Sequence, residues 1–513
     1  MKPRINWVFH LYIGSIVILS IGLILWLTPF GAGISPDSAE YIAGAKSLFA
    51  GKGYIAYGKP ETHFPPLYPF FISLFNTIQN NPAQAARILN ALLFGLNMGL
   101  IGWILYSTLG RHYLTNICAW LIILTFPSHL RIYTMAWSEP LFISFSLVCL
   151  LSLMAYISKP SLLWLLTSAL AISLAPVTRY IGLAFLPAGL AVVLWGGRDL
   201  KLVQRFRHIL IWGFIACTPI GLLLVRNTIT TGLLTDRSLV FHPLSMNQLK
   251  SYTQRTLPFL RNLQLPDWLI PALMIIAAGI LLCGLGLLIK RYWKVIPWRP
   301  IGFFLFDFPY FIFIVCYMIF LAGSRFFFDA STQLEARILS PVFVFLLMGI
   351  ISAIWIVSNR NLKPAIWTGF LILVLVFTAI QTPQTVQFAL NLQKDGQGYS
   401  SIQWRGSRTI AFLGNYPEKL TIYSNGPDAI EYLIGKSALA LPVKINPTTA
   451  ETNTLYEEQV NTLCTDIQEN HSLLTILDGI KWRPYQPTIE ELLAACSLTV
   501  LQQFDDGTIY TTK

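Results

Sequence analysis

Long apolar runs separated by short polar stretches fill the first three quarters of the chain. Read through windows of about 19 residues, they predict roughly eleven transmembrane helices, centred near residues 18, 96, 120, 148, 168, 188, 217, 279, 311, 348 and 373. Runs of about 20 residues suffice to cross a hydrocarbon core of roughly 30 Å. The first, Trp7 to Phe30, is too long for a signal-peptide core and no cleavage site follows it, so it predicts a retained span. From about residue 385 the pattern changes. Leu420 to Ser424 reads as a strand, Gly426-Pro427 as a turn and Asp428 to Ile434 as a helix. Leu498 to Phe504 and Thr508 to Thr512 read as a β-hairpin around Asp505-Asp506-Gly507. The expected fold class is therefore a polytopic α-helical membrane protein over residues 1–384, followed by a soluble α/β domain over 385–513.

Basic residues orient the helices. Arg111, Lys159, Arg198 to Arg207, Lys290 to Arg299, and Arg360 with Lys363 fall in short connections on one side, the expected cytoplasmic one. An odd number of spans then places the C-terminal domain outside, together with longer loops at about 30–82, 227–267 and 323–337.

Composition agrees with a membrane protein. Of 513 residues, 54% are hydrophobic and only 12% charged, about half the charge of an ordinary soluble domain. This excludes a soluble enzyme, a disordered chain and a small disulfide scaffold. The net charge of +12 is placed in inward loops and at lipid headgroups rather than on nucleic acid, which is not an expected partner. Five of the seven cysteines lie in predicted spans as small packing residues; Cys464 and Cys496 share the tail and could pair in an oxidising compartment.

The outward loops hold the candidate chemistry. Ser35-Pro36-Asp37 followed by Gly51 bounds a short helix with Asp37, Glu40 and Tyr41 on one face. Asp37 either serves catalysis or only complements the helix N-terminus. Thr62-His63-Phe64-Pro65-Pro66-Leu67-Tyr68 leads into an apolar stretch too short to span. Ser138-Glu139-Pro140 opens the fourth span, with Glu139 on the outward side as a cap or as a functional acid. Arg179, Arg226, Arg325 and Arg337 stand at outer span ends, where a guanidinium either grips phosphate or snorkels to headgroups. CxxC and HExxH patterns are absent, and a divalent metal ion stays an open question.

The order of the first span, the Asp37 helix, Gly51-Lys52-Gly53-Tyr54, Pro65-Pro66-Leu67-Tyr68, Ser138-Glu139-Pro140-Leu141, Thr178-Arg179-Tyr180-Ile181-Gly182 and Glu335-Ala336-Arg337-Ile338-Leu339-Ser340-Pro341 resembles the GT-C membrane glycosyltransferases, over roughly residues 5–380. The protein O-mannosyltransferase and lipid A aminoarabinose transferase group is the most similar. The resemblance implies inverting transfer of a sugar from a polyprenyl-phosphate donor to a protein, lipid or glycan acceptor at the extracytoplasmic face of a bacterial-type plasma membrane. It maps the catalytic carboxylate onto Asp37. The Asp-Glu pair common in the family is Asp37-Ser38 here, so the second carboxylate is Glu40 or Glu139. Tyr41, His63, Tyr68, Arg179, Arg226, Arg325 and Arg337 are the candidate substrate-binding residues. A secondary transporter, or a non-catalytic lipid-binding or flipping protein, remains as an alternative. Against the transporter, the acidic residues gather at outer span ends rather than at mid-span; Asp307 is the exception.

Overall fold

The computed structural model describes residues 7–109, 112–243, 309–332, 334–359, 364–416, 421–469 and 472–512. The expected span near 279 and Asp307 lie outside the described residues. The other ten expected centres fall on apolar helices. Among the described residues, six helices are long and apolar enough to cross a membrane. They number seven if α5 (Tyr113–Leu124) and α6 (Pro127–Thr134), bent by 74° at the break between them, count as one span. Leu162–Thr178, Tyr180–Gly196 and Ser340–Ile356 are shorter apolar helices. The protein is an integral, multi-pass membrane protein.

α1 (Trp7–Leu27) packs along α4 (Pro82–Thr108). Gly95 and Gly99 of α4 form a GxxxG pair against it. A Cβ on Gly95 would stand 2.6 Å from Ile21 Cγ1, and one on Gly99 2.9 Å from Val17 Cγ2. Close backbone approach at small residues is how helices associate where lipid removes the hydrophobic drive. α1 is thereby fixed, and the chain leaves its outer end directly into α2 (Pro36–Phe49). α3 (Leu67–Gln79) follows a two-stranded hairpin of β1 (Ile55–Ala56) and β2 (Lys59–Pro60). α4 also buries two asparagines: Asn90 accepts from the Tyr68 hydroxyl at 3.1 Å, and Asn97 donates to the Pro140 carbonyl at 3.0 Å. Buried polar groups must be bonded; the Asn97 bond, with one from Asn90 Nδ2 to the Met135 carbonyl, positions the connection from α6 to α7 (Glu139–Ser158).

α8 (Leu162–Thr178) ends beyond Pro176, and a 3-10 turn (Tyr180–Ala184) folds the chain back before α9 (Phe185–Gly196). Gly182 permits this: a Cβ there would meet the Ala175 carbonyl carbon at 2.5 Å. Arg179 is left at the bend. α10 (Leu202–Thr231), α11 (Tyr310–Phe327), α12 (Ser340–Asn359) and α13 (Pro364–Asp395) complete the described helices of this region. α13 carries through residue 385, where the composition changes, as far as Asp395.

Beyond it lies a five-stranded sheet of order β4-β3-β5-β7-β6. β3 (Ile422–Ser424), β4 (Ala438–Ala440) and β5 (Leu473–Leu477) are parallel. β6 (Leu498–Phe504) and β7 (Gly507–Thr512) form the expected hairpin. Cys464 and Cys496 are joined in a disulfide. The tail docks on the segment preceding α2: Tyr399 N–H donates to the Ile34 carbonyl at 2.8 Å, and Ser400 Oγ to that of Ala32 at 2.8 Å. One apolar cluster runs through both, from Ala32, Tyr41 and Tyr68 to Tyr399, Ile422 and Leu477.

Candidate active site

Local sequence sets the first carboxylate. Ser35 Oγ caps α2 by accepting from the Ser38 N–H at 3.3 Å, and Pro36 takes the first helical position. Asp37 therefore sits in the first turn, where the helix dipole favours a carboxylate. Three other segments converge on it. Arg337, just before α12, donates Nη1 to Asp37 Oδ2 at 2.6 Å and Nε to Glu139 Oε1 at 2.6 Å. Arg179 Nη1 stands 2.6 Å from the same Glu139 oxygen and 3.0 Å from Ser138 Oγ. Ser138 Oγ is 3.1 Å from the Tyr41 hydroxyl. The Arg337 guanidinium lies 4.3 Å over the Trp137 ring, and Trp137 Nε1 donates to Ser35 Oγ at 2.9 Å.

Exposure separates the two acids. The Glu139 side chain is 1% exposed and its Oε2 is buried without a partner among the described residues, whereas Asp37 retains 39%. Glu139 is sealed beneath the arginines and fixes both; Asp37 faces the opening. Burial works against ionisation of Asp37, but the charge and hydrogen bond of Arg337, with His63 and Arg179 farther off, outweigh it and hold its pKa below the ordinary value. Burial likewise opposes the charge on Arg337, and Glu139 and Asp37 outweigh it, raising its pKa. Tyr41 is pushed upward by burial, so its hydroxyl stays neutral.

Glu40, one turn along α2, behaves differently. Burial first, then the charge of Glu61, pushes its carboxyl from 4.5 to about 8, and its Oε2 has no partner among the described residues. Nearby, Glu61 Oε1 accepts from the His63 and Phe64 N–H groups, and His63 Nδ1 is 2.6 Å from Asp236 Oδ2. Burial would lower the His63 pKa, but Asp236 raises it overall.

The remaining candidates are placed elsewhere. Tyr68 is fully buried behind Tyr41, with ring centroids 5.4 Å apart. Arg226 donates to the carbonyls of Glu61 and Tyr54 at 2.6 and 2.8 Å, clamping their loop to α10. Arg325 is buried in the last turn of α11 and makes no contact with Asp37 or Glu139 among the described residues. Trp137, Ser138 and Asp236 were not singled out from the sequence as site residues; Ser138 stood within the quoted motif, while nothing local marked Asp236. Among the described residues no three His, Cys, Asp or Glu side chains converge as a metal site would require.

The cluster thus offers two guanidiniums with edges to spare. Arg337 Nη2 and Arg179 Nε and Nη2 are not engaged among the described residues, and an ionised carboxylate stands beside them. Such a set can hold an anion by forked hydrogen bonds and accept a proton next to it.

Residues 63–222 match the family model described as dolichyl-phosphate-mannose-protein mannosyltransferase. The whole structure is similar to the crystal structure of ArnT from Cupriavidus metallidurans bound to undecaprenyl phosphate, with a TM-score of 0.57 and 13% identity over 97% of each chain. The chain has the GT-C fold. The same GT-C architecture relates it to apo ArnT from that organism, with a TM-score of 0.51 and 13% identity over 98% of this chain and 97% of that one. Arabinofuranosyltransferase AftD from Mycobacteria aligns at a TM-score of 0.50 and 15% identity; 98% of this chain covers 40% of AftD. No curated protein matches by sequence.

Proposed function

We propose that this protein is an inverting glycosyltransferase that moves a sugar from a polyprenyl-phosphate donor to an acceptor at the extracytoplasmic face of the membrane. The observation that carries the reading is the bridge from Arg337 to both Asp37 and Glu139, with Asp37 alone of the two acids open to solvent. The resemblance to an ArnT structure holding undecaprenyl phosphate supports the donor class.

In this reading the donor phosphate lies against the unengaged edges of Arg337 and Arg179. The acceptor hydroxyl enters on the opposite side of the sugar. Asp37 takes its proton, the acceptor oxygen bonds to the anomeric carbon, and the bond from that carbon to the phosphate oxygen breaks. The electron pair leaves with the polyprenyl phosphate, which gains one negative charge; the arginines stabilise this in a poorly hydrated site. A phosphate leaves as a stable anion, so no general acid is needed. Glu139 is a positioning residue that holds both guanidiniums, and Glu40, largely neutral at pH 7, serves as a hydrogen-bond donor beside the base. Drawing Arg337 toward the phosphate would loosen its grip on Asp37 and raise the basicity of that carboxylate as the donor arrives.

The deciding experiment follows sugar transfer from a radiolabelled polyprenyl-phosphate sugar to membrane acceptors by the purified protein and by Asp37→Asn. Transfer by the parent and none by the variant is expected. Parental transfer by the variant would overturn the assignment of the base, and absence of transfer by the parent would overturn the reaction.

A further inference from the structure

α2 has a second working face. Asp37 lies on one side of the helix, while Ala39, Ala43, Lys46 and Ala50, spaced at helical repeats, line a cleft of about 570 Å³ on another. That volume is within the usual range of small-molecule sites. The second wall is the β1–β2 hairpin, and the third is Glu431 and Tyr432 from helix α14 (Pro427–Ile434) of the tail.

The hairpin wall is unusual. Ala56 pairs with Lys59, so Tyr57-Gly58 forms a two-residue turn, and both residues have positive φ, +51° and +77°. Such turns favour Asn-Gly or Gly-Gly, because a side chain is disfavoured in the left-handed region. A tyrosine occupies the position where glycine or asparagine would be at ease, and it lines the cleft. Strain of this kind gathers at ligand clamps.

We infer that this cleft anchors the saccharide portion of an anionic acceptor, remote from the reacting hydroxyl. The inference rests on the transfer reaction proposed above. Tyr57 and Tyr432 supply aromatic rings to the lining, the side chains that pack against sugar C–H surfaces, and the small alanines let a ring lie close to the helix. Ser47, whose hydroxyl donates to the Gly53 carbonyl at 2.8 Å, and Glu431 offer acceptor oxygens to sugar hydroxyls. Among the lining residues Lys46 and Lys52 outnumber Glu431, while Glu40, Asp428 and Glu61 act on Tyr57 from outside the lining, so the charged rim favours a uronate or phosphate group over a neutral sugar. α2, at 14 residues, is about 21 Å long, which lets an oligosaccharide seated on one face send its reactive end toward Asp37 at the helix start. Binding energy from such a remote portion can be used to orient the reacting centre.

The full-length protein in detergent is titrated calorimetrically with trigalacturonic acid and with neutral galactotriose. The parent is expected to bind the first and not the second. Tyr57→Gly suits the backbone, so it should melt no lower than the parent while binding trigalacturonate at least ten-fold more weakly; Lys46→Gln should weaken it similarly. Asp37→Asn should bind as the parent does. No binding by the parent, equal binding of the neutral sugar, or parental binding by Tyr57→Gly overturns the cleft. Transfer that depends on Asp37 with cleft variants binding normally sinks the cleft alone. Cleft-dependent binding without any transfer by the parent sinks the reaction alone.

Discussion

Arg337 reaches back 300 positions along the chain to place Nη1 2.6 Å from Asp37 Oδ2. The contact gives the two residues separable roles. Asp37→Asn keeps size and most hydrogen bonding but cannot take a proton. A positioned base contributes about 10²–10⁴-fold, so turnover should fall at least about 100-fold while donor binding and folding persist. Asp37→Glu should recover part of the rate, its carboxylate displaced by one methylene. Single-turnover assays beside donor-binding measurements separate these outcomes.

Glu139 should behave as a structural anchor. Its carboxylate is sealed and shared by two arginines, and removing one partner of a buried charge set costs about 3–5 kcal/mol. Glu139→Ala should therefore lower the melting temperature far more than Asp37→Asn, whose side chain is partly exposed. Comparable melting of the two variants would contradict the assignment.

Stability should respond to pH through Glu40. Its folded pKa of about 8 lies above the ordinary 4.5, so between those values the folded state binds more protons than the unfolded one. Its contribution is complete below pH 4.5 and declines as pH rises toward 8. Asp37 works in the opposite sense: its lowered pKa gives stability above the unfolded value that is lost on acidification. Melting curves from pH 5 to about 9 should show Glu40→Gln gaining on the parent as pH increases. A constant difference between the two across that range would refute this.

The pairing of Cys464 with Cys496 closes a separation of 32 positions, for which the chain-entropy model gives about 3–4 kcal/mol. Reduction should destabilise the tail, seen as earlier proteolysis there, with the membrane helices unaffected. Two freely alkylated thiols in the unreduced protein would argue against the bond.

The proposed orientation has its own test. Inward density of Lys and Arg in the short loops points to an external C-terminal domain. A reporter active only in the cytoplasm should be silent when fused at the C-terminus; a strong signal would move the whole Asp37 cluster to the other face.

Much of the scaffold was legible in the sequence because it is governed locally. Hydropathy located ten helices that the structure describes, and Ser35-Pro36 announced the start of α2 through capping and a fixed φ. The Asp505-Asp506-Gly507 run announced the final hairpin, although its turn is Asp505-Asp506 and Gly507 already pairs with Phe504 in β7. The site is another matter. Asp236 is 173 positions from His63, and Arg337 is 198 from Glu139. Such pairings follow from how helices pack, which no local period encodes. Arg226 looked like the other outer arginines, and only the fold of the 54–61 loop commits it to backbone carbonyls. The 74° break between α5 and α6 also merged into one apolar window, since hydropathy is blind to direction.

The docking of Tyr399 and Ser400 on Ile34 and Ala32 bears on the order in which the protein comes into being. Synthesis delivers the Asp37 segment early, before most of the helices exist. Its cation arrives only when residue 337 emerges, and its buttress only at residue 400. Until residue 337 emerges, Asp37 and Glu139 lack the guanidinium that joins them. The charge set at Asp37 is therefore completed only late in synthesis, when segments from the second half of the polypeptide fold back onto its beginning.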